Sequence, residues 1–248
     1  MTSSATTPHG PVRIETIDAI HYRLADDGWA FEQERAADIE AHWQKRVAQN
    51  PHLFNGRVLL MRQSEVTAEG AARHLAGNCF LADYKAFLAW RDFGFPDATI
   101  ANVFAMAALR SADGAFLLGE MGATTASSGR IYFPAGTPDP SDIAHGMLDL
   151  EGSVLRELKE ETDLGLDNVR LDPGWTVVFH EPYIACMKTI RSALSAADLI
   201  ASVDAFLAKE THPELARLKP VFTASDLDAD RMPDFMLAYL QHAWKQEA

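Results

Sequence analysis

The segment 156-RELKEETDL-164 sets Glu157, Glu160, Glu161 and Asp163 behind an arginine within nine residues. Leu150, Val154, Leu155 and Leu158 recur at helical spacing into it, which predicts an amphipathic helix over 150–162. Residues three and four apart share a helix face, so Glu157, Glu160 and Glu161 point the same way. Like charges at that spacing repel by roughly 0.2–0.5 kcal/mol per pair, and Lys159 lies on another face. A solvated acidic face is the plain reading of such a run. The other is a divalent cation held between the three carboxylates, which removes the repulsion. Oxygen donors with no thiolate or imidazole beside them suit Mg2+ or Mn2+ rather than zinc. Arg156, one turn before Glu160, can hold one carboxylate in place while the others bind metal. Just upstream, 130-RIYFPAGTPDPSD-142 reads as a short strand that delivers a Gly/Pro loop ahead of the helix.

Together these residues resemble the box of the Nudix hydrolases, G-x5-E-x7-R-E-U-x-E-E-x-G-U with U a bulky aliphatic residue. RELKEETDL matches its second half except that Asp163 stands where the family has glycine. FPAG resembles the loop leading into the box, with Ala135 in place of its first glycine and Gly136 retained. Leu148 occupies the place of the first glutamate, beside Asp149, and the loop 137–147 carries an insertion. The likeness covers residues 130–166 and implies an α/β/α sandwich around a mixed sheet. It implies metal ligands at Glu157, Glu160, Glu161 and the Gly136 carbonyl, for Mg2+ or Mn2+. Arg156 matches the orienting arginine, and Glu160 and Glu161 the catalytic carboxylates. Asp149 either replaces the missing first glutamate or caps the helix. Glu181, ending a strand after the box, is where the family often places a further base. Arg110, Arg130 and Lys188 are candidate phosphate contacts, since a diphosphate calls for cations. The implied reaction is hydrolysis of the pyrophosphate bond of a nucleoside diphosphate linked to another moiety. It needs metal and positioning more than covalent chemistry from the protein. The leader 41-AHWQKRVAQNPHLFNGRVLL-60 resembles a Nudix subgroup that cleaves UDP-glucose, which makes a UDP-sugar the preferred substrate. Homodimers are common in the family. The departures at Leu148 and Asp163 keep a second reading open, a catalytically inactive Nudix fold that binds a nucleotide or a protein.

Elsewhere the chain divides into a Ser/Thr/Pro-rich tail at 1–11, an N-terminal α/β extension at 12–97, and the Nudix part with C-terminal helices at 98–248. Residues 12–24 read as one strand, 29–50 as one helix stopped by Pro51, and 54–66 as a strand. The run 81–94 reads as a helix ending at Gly94. Strands flanking Asp113-Gly114 predict a hairpin. WTVVFHEPYIACMKTI is strand-like with a break at Pro182, and helices follow over 195–210, N-capped by Ser195, and 232–246.

The net charge of −13 excludes a nonspecific hold on nucleic acid, which needs a basic footprint. An acidic protein takes a phosphorylated small molecule when a cation bridges the charges. Cys79 and Cys186 are in no metal-binding spacing, and a reducing compartment suits them. No run approaches 18 apolar residues, so a cytoplasmic location is expected. The histidines show no zinc spacing, and GxSxG, P-loop and GxGxxG patterns are absent.

Overall fold

The computed structural model describes residues 11–123, 125 and 127–247, so the tail expected over 1–11 lies outside the described residues but for Pro11. The first part of the chain forms β1 (Arg13–Ile17), β2 (Ala19–Leu24), α1 (Ala30–Glu34), α2 (Ala36–Gln49), β3 (Arg57–Glu69), β4 (Ala72–Asp83) and α3 (Tyr84–Asp92). Next come β5 (Ile100–Arg110), β6 (Phe116–Met121), β7 (Ile131–Tyr132), β8 (Ile143–Ala144) and β9 (Met147–Leu148). The last part runs α4 (Leu150–Thr162), β10 (Val169–Leu171), β11 (Trp175–His180), β12 (Tyr183–Ser192), α5 (Ala196–Leu207), β13 (Leu215–Val221) and α6 (Asp234–Glu247).

The strands form a mixed sheet in the order β1-β11-β12-β5-β3-β4-β2-β9-β8, with β13, β6 and β7 joined at the far end of β5. The pairs β12–β5 and β2–β4 are parallel. Strand alternation splits the faces of β5. Val103, Ala105, Ala107 and Leu109 pack with α4, α5 and the inner residues Leu59, Met61, Leu75 and Cys79 of β3 and β4. Met106 and Ala108 pack against Met236, Tyr239 and Leu240 of α6. The outer face of β3 and β4 is covered by α1–α3 through Phe31, Ile39, Phe87 and Trp90. Helices therefore lie on both faces of a mixed sheet, the sandwich expected.

Local details depart from the sequence reading for identifiable reasons. The single strand over 12–24 is two, because Asp18 turns out of the ladder and its carboxylate accepts the Arg73 N–H at 2.7 Å. β1 then pairs with β11 and β2 with β4. The helix over 29–50 breaks at Arg35 (φ −110°, ψ 19°) and ends at Asn50 in the extended region that a following proline favours. The hairpin at Asp113-Gly114 has a turn with Gly114 at φ 93°, but only the rung Arg110–Phe116 closes it. Beyond that rung β5 pairs with β12 and β6 with β13. β4 and β13 have no counterpart in the sequence reading. Ala72, Gly77 and Asn78 give β4 little strand propensity. Gly77 is there for closeness, since a Cβ would stand 2.8 Å from the Arg62 carbonyl oxygen and Tyr22 Cε1. In β13 an irregularity between Leu215 and Arg217 interrupts the period-two pattern.

Candidate active site

Helix α4 runs over the 150–162 expected. Asp149 is its N-cap, with Oδ1 accepting the Gly152 N–H at 2.9 Å, so of its two expected parts it fills the capping one. Asp163 ends the helix at φ 59°, a left-handed position. Asp163, one of the residues that tolerate this conformation best, occupies it while pairing with Lys159. Leu148 is buried in the core beneath α4.

Leu150, Val154 and Leu158 press α4 onto the sheet, and the same stripe continues into Glu161, whose residue exposure is 3%. Its Oε1 accepts the Ala135 N–H at 3.3 Å. Its Oε2 is buried with no hydrogen-bond partner among the described residues. Glu157 lies against Gly136 so closely that any Cβ there would strike its carboxylate. The loop carrying Ala135 and Gly136 is held by two backbone bonds, Ala107 N–H to the Pro134 carbonyl at 3.0 Å and Leu59 N–H to the Pro138 carbonyl at 2.7 Å.

Arg156 Nη1 donates to Glu157 Oε1 at 2.8 Å and reaches Glu160 Oε2 at 3.5 Å. Its Nη2 donates to both oxygens of Asp142, at 2.9 and 3.1 Å. Burial opposes the guanidinium charge, but the hydrogen bond to Asp142 and the fields of Glu157 and Glu160 outweigh it and raise its pKa. Asp142 is buried in the inserted loop and also accepts the Asp139 N–H.

Glu157, Glu160 and Glu161 line a pocket of about 150 Å3 whose opposite wall is Phe206, Leu207, Glu210, His212, Pro213 and Glu214. Burial, the main cause, together with the charges of Glu214 and Glu157 pushes the Glu161 carboxyl up to about 8. Burial, then the charges of Glu160 and Glu214, pushes Glu157 up to about 7 against the opposing effect of Arg156. Two carboxyls pushed up together in this way mark a place where negative charge is already in excess.

The other candidates are elsewhere. Glu181 is exposed and lines a separate cavity of about 420 Å3 with Arg13, Phe95 and Phe179. Arg110 donates to the Gly114 carbonyl at 2.9 Å with its guanidinium over the Phe116 ring. Arg130 donates to the Asp230 carbonyl at 3.3 Å. Lys188 is buried, paired with Glu151 at 2.6 Å and set over the Trp175 ring. Glu151 is at the opposite end of α4 from Glu160, roughly 14 Å along the axis at 1.5 Å per residue. The residues not foreseen are Asp142 and Glu214. Both reach the site through tertiary contacts, and neither carried a sequence signal.

No family model matches the chain, and no curated protein matches it. Solved structures similar to it include Nudix hydrolases and a Nudix domain. One is a Nudix hydrolase from M. smegmatis, RenU, at 15% identity and TM-score 0.37, spanning 58% of this chain and 83% of that one. Another is the Nudix domain of Shewanella oneidensis NrtR, complexed with ADP-ribose, at 15% identity and TM-score 0.39, over 60% and 89% of the two chains. A third is the MutT protein of Methanosarcina mazei Go1, at 13% identity and TM-score 0.37, over 59% and 95%. Among the described residues no helix is long and apolar enough to cross a membrane.

Proposed function

We propose that the protein is a divalent-metal-dependent hydrolase of the pyrophosphate bond of a nucleoside diphosphate derivative, with a UDP-sugar the preferred substrate. The observation that carries this reading is the buried Oε2 of Glu161, without a partner among the described residues, in a pocket that four further carboxylates line. A buried carboxylate oxygen left without a donor costs free energy that a cation recovers. Such a pocket also repels a diphosphate unless a cation intervenes.

The donor set fits a hard cation. Glu157, Glu160 and Glu161, with the Gly136 carbonyl, supply oxygen only. Among the described residues no three acidic, His or Cys side chains already stand in metal-ligand spacing. Glu160 and Glu214 are exposed and have solvent to rotate in, whereas Glu157 and Glu161 are held by Arg156 and the Ala135 N–H. When bound, Mg2+ or Mn2+ would neutralise the phosphoryl oxygens and acidify a water. The chain's own residues do the rest. Asp142 fixes Arg156, and Arg156 fixes Glu157. Glu160, with its side chain 61% exposed, can accept a proton from water at a carboxylate oxygen. Glu181, Arg110, Arg130 and Lys188 have no part in this pocket. In this reading residues 98–248 hold the catalytic part and 12–97 are an extension upon it.

The test is incubation with Mg2+ or Mn2+ and a panel of UDP-sugars, ADP-ribose and dinucleoside polyphosphates, followed by 31P NMR. Nucleoside monophosphate released by the wild type, and lost in a folded Glu161→Gln variant, is expected. No release from any member of the panel would refute the reading.

A further inference from the structure

His212 and Glu214 line the carboxylate pocket and also a neighbouring, larger one of about 520 Å3. The far wall of the larger pocket is the loop between α2 and β3, with His52, Leu53 and Phe54, and Tyr84 at the start of α3. Phe54 is 81% exposed, the most exposed of the large apolar side chains among the described residues. A single exposed aromatic needs no explanation by itself. Here the loop beneath it is pinned from several sides. Asn50 Oδ1 accepts the His52 N–H at 3.1 Å, and the Asn50 carbonyl accepts the Leu53 N–H at 3.2 Å. Asn55 Oδ1 accepts the Lys85 N–H at 2.9 Å, and the Gly56 carbonyl accepts the Tyr84 N–H at 2.9 Å. The ring also lies along Gly56, where an added Cβ would stand 3.5 Å from its Cε1. The backbone therefore holds a flat apolar ring in solvent at a pocket that shares His212 and Glu214 with the carboxylate pocket.

We propose that Phe54 is the stacking platform for the planar base of the nucleoside diphosphate derivative, whose diphosphate reaches the carboxylate pocket past His212 and Glu214. This rests on the reaction proposed above and adds the residue that selects for a nucleoside. An aromatic face presented to water attracts another π-face, and stacking tolerates any base, so the edge contacts of a particular base would come from the polar groups around it. Base–aromatic stacking contributes about 1–3 kcal/mol, so its loss weakens binding roughly 5- to 150-fold.

The experiment titrates UMP and AMP by calorimetry into wild type, Phe54→Ala and Phe54→Tyr, once with excess Mg2+ and once with EDTA. Phe54→Ala is expected to lose affinity for at least one nucleotide by that factor, while Phe54→Tyr, which keeps the ring, stays near wild type. Equal affinity in wild type and Phe54→Ala, or no binding of either nucleotide to wild type, overturns the proposal. With the hydrolysed substrate, Phe54→Ala should raise KM and leave kcat nearly unchanged; an unchanged KM also overturns it. Phe54-dependent nucleotide binding in a protein that hydrolyses none of the panel would uphold this subsite and refute the reaction instead.

Discussion

Glu161→Gln is expected to stabilise the metal-free protein at alkaline pH, although it removes the central carboxylate of the site. Burial and the charges of Glu214 and Glu157 push this carboxyl from an ordinary 4.5 to about 8. The folded state therefore holds the proton more tightly than the unfolded chain. Its contribution is fully favourable below about pH 4.5 and is lost as pH rises through about 8. A displacement of roughly 3.5 pKa units corresponds to a ceiling of ~5 kcal/mol at 1.36 kcal/mol per unit. Part of that ceiling is shared with Glu157, itself raised to about 7 over the same range, and part persists because the amide is also buried. A net gain of about 2–3 kcal/mol is expected for the glutamine above pH 8, or roughly 5–10 °C in Tm for a chain of this size. The assay is thermal unfolding in EDTA at about pH 5 and about pH 9. The two proteins should melt together at the acid pH, and the variant higher at the alkaline one. Excess Mn2+ at the alkaline pH should raise the wild type more than the variant. A variant that melts at or below wild type at both pH values in EDTA would refute the argument that Glu161 is a buried, uncompensated charge.

Gly136→Ala should fold at a cost of about 1–3 kcal/mol, because the added Cβ meets a carboxylate that Arg156 holds in place. Its turnover should fall by roughly 100-fold, since it displaces Glu157, the carboxylate proposed to bind metal; steady-state kinetics beside circular dichroism reads both. Asp142→Asn breaks the charged pair with Arg156 and should cost roughly 2–3 kcal/mol of stability in urea unfolding, with a loss of activity that Arg156→Lys reproduces in part. Asp163→Gly should stabilise the protein by about 0.5–1 kcal/mol in the same assay and leave kcat unchanged, because it relieves a left-handed residue and gives up only an exposed pair with Lys159.

Helix α4 was legible because its apolar stripe and cap lie within one continuous segment, and its three glutamates all reach the pocket as their spacing requires. The depth of Glu161 was also readable in principle. It stands three residues beyond Leu158 on the stripe that starts at Leu150, so a carboxylate was being sent to the buried face. Asp142 and Glu214 were not legible, for no local pattern says that a residue in an inserted loop meets Arg156 or that one after α5 faces α4. The same limit hid β4 and β13, whose partners rather than their own propensities make them strands. Asp163 went the other way. It looked like damage to the motif, and the φ of 59° shows a helix end that aspartate can occupy.

The most direct test of the central claim is a crystal soaked with Mn2+ and measured for anomalous scattering. The account predicts a peak among the carboxylates of Glu157, Glu160 and Glu161 near the Gly136 carbonyl, absent in Glu161→Gln. An empty pocket in a crystal at saturating Mn2+, or a peak confined to other residues, would contradict it.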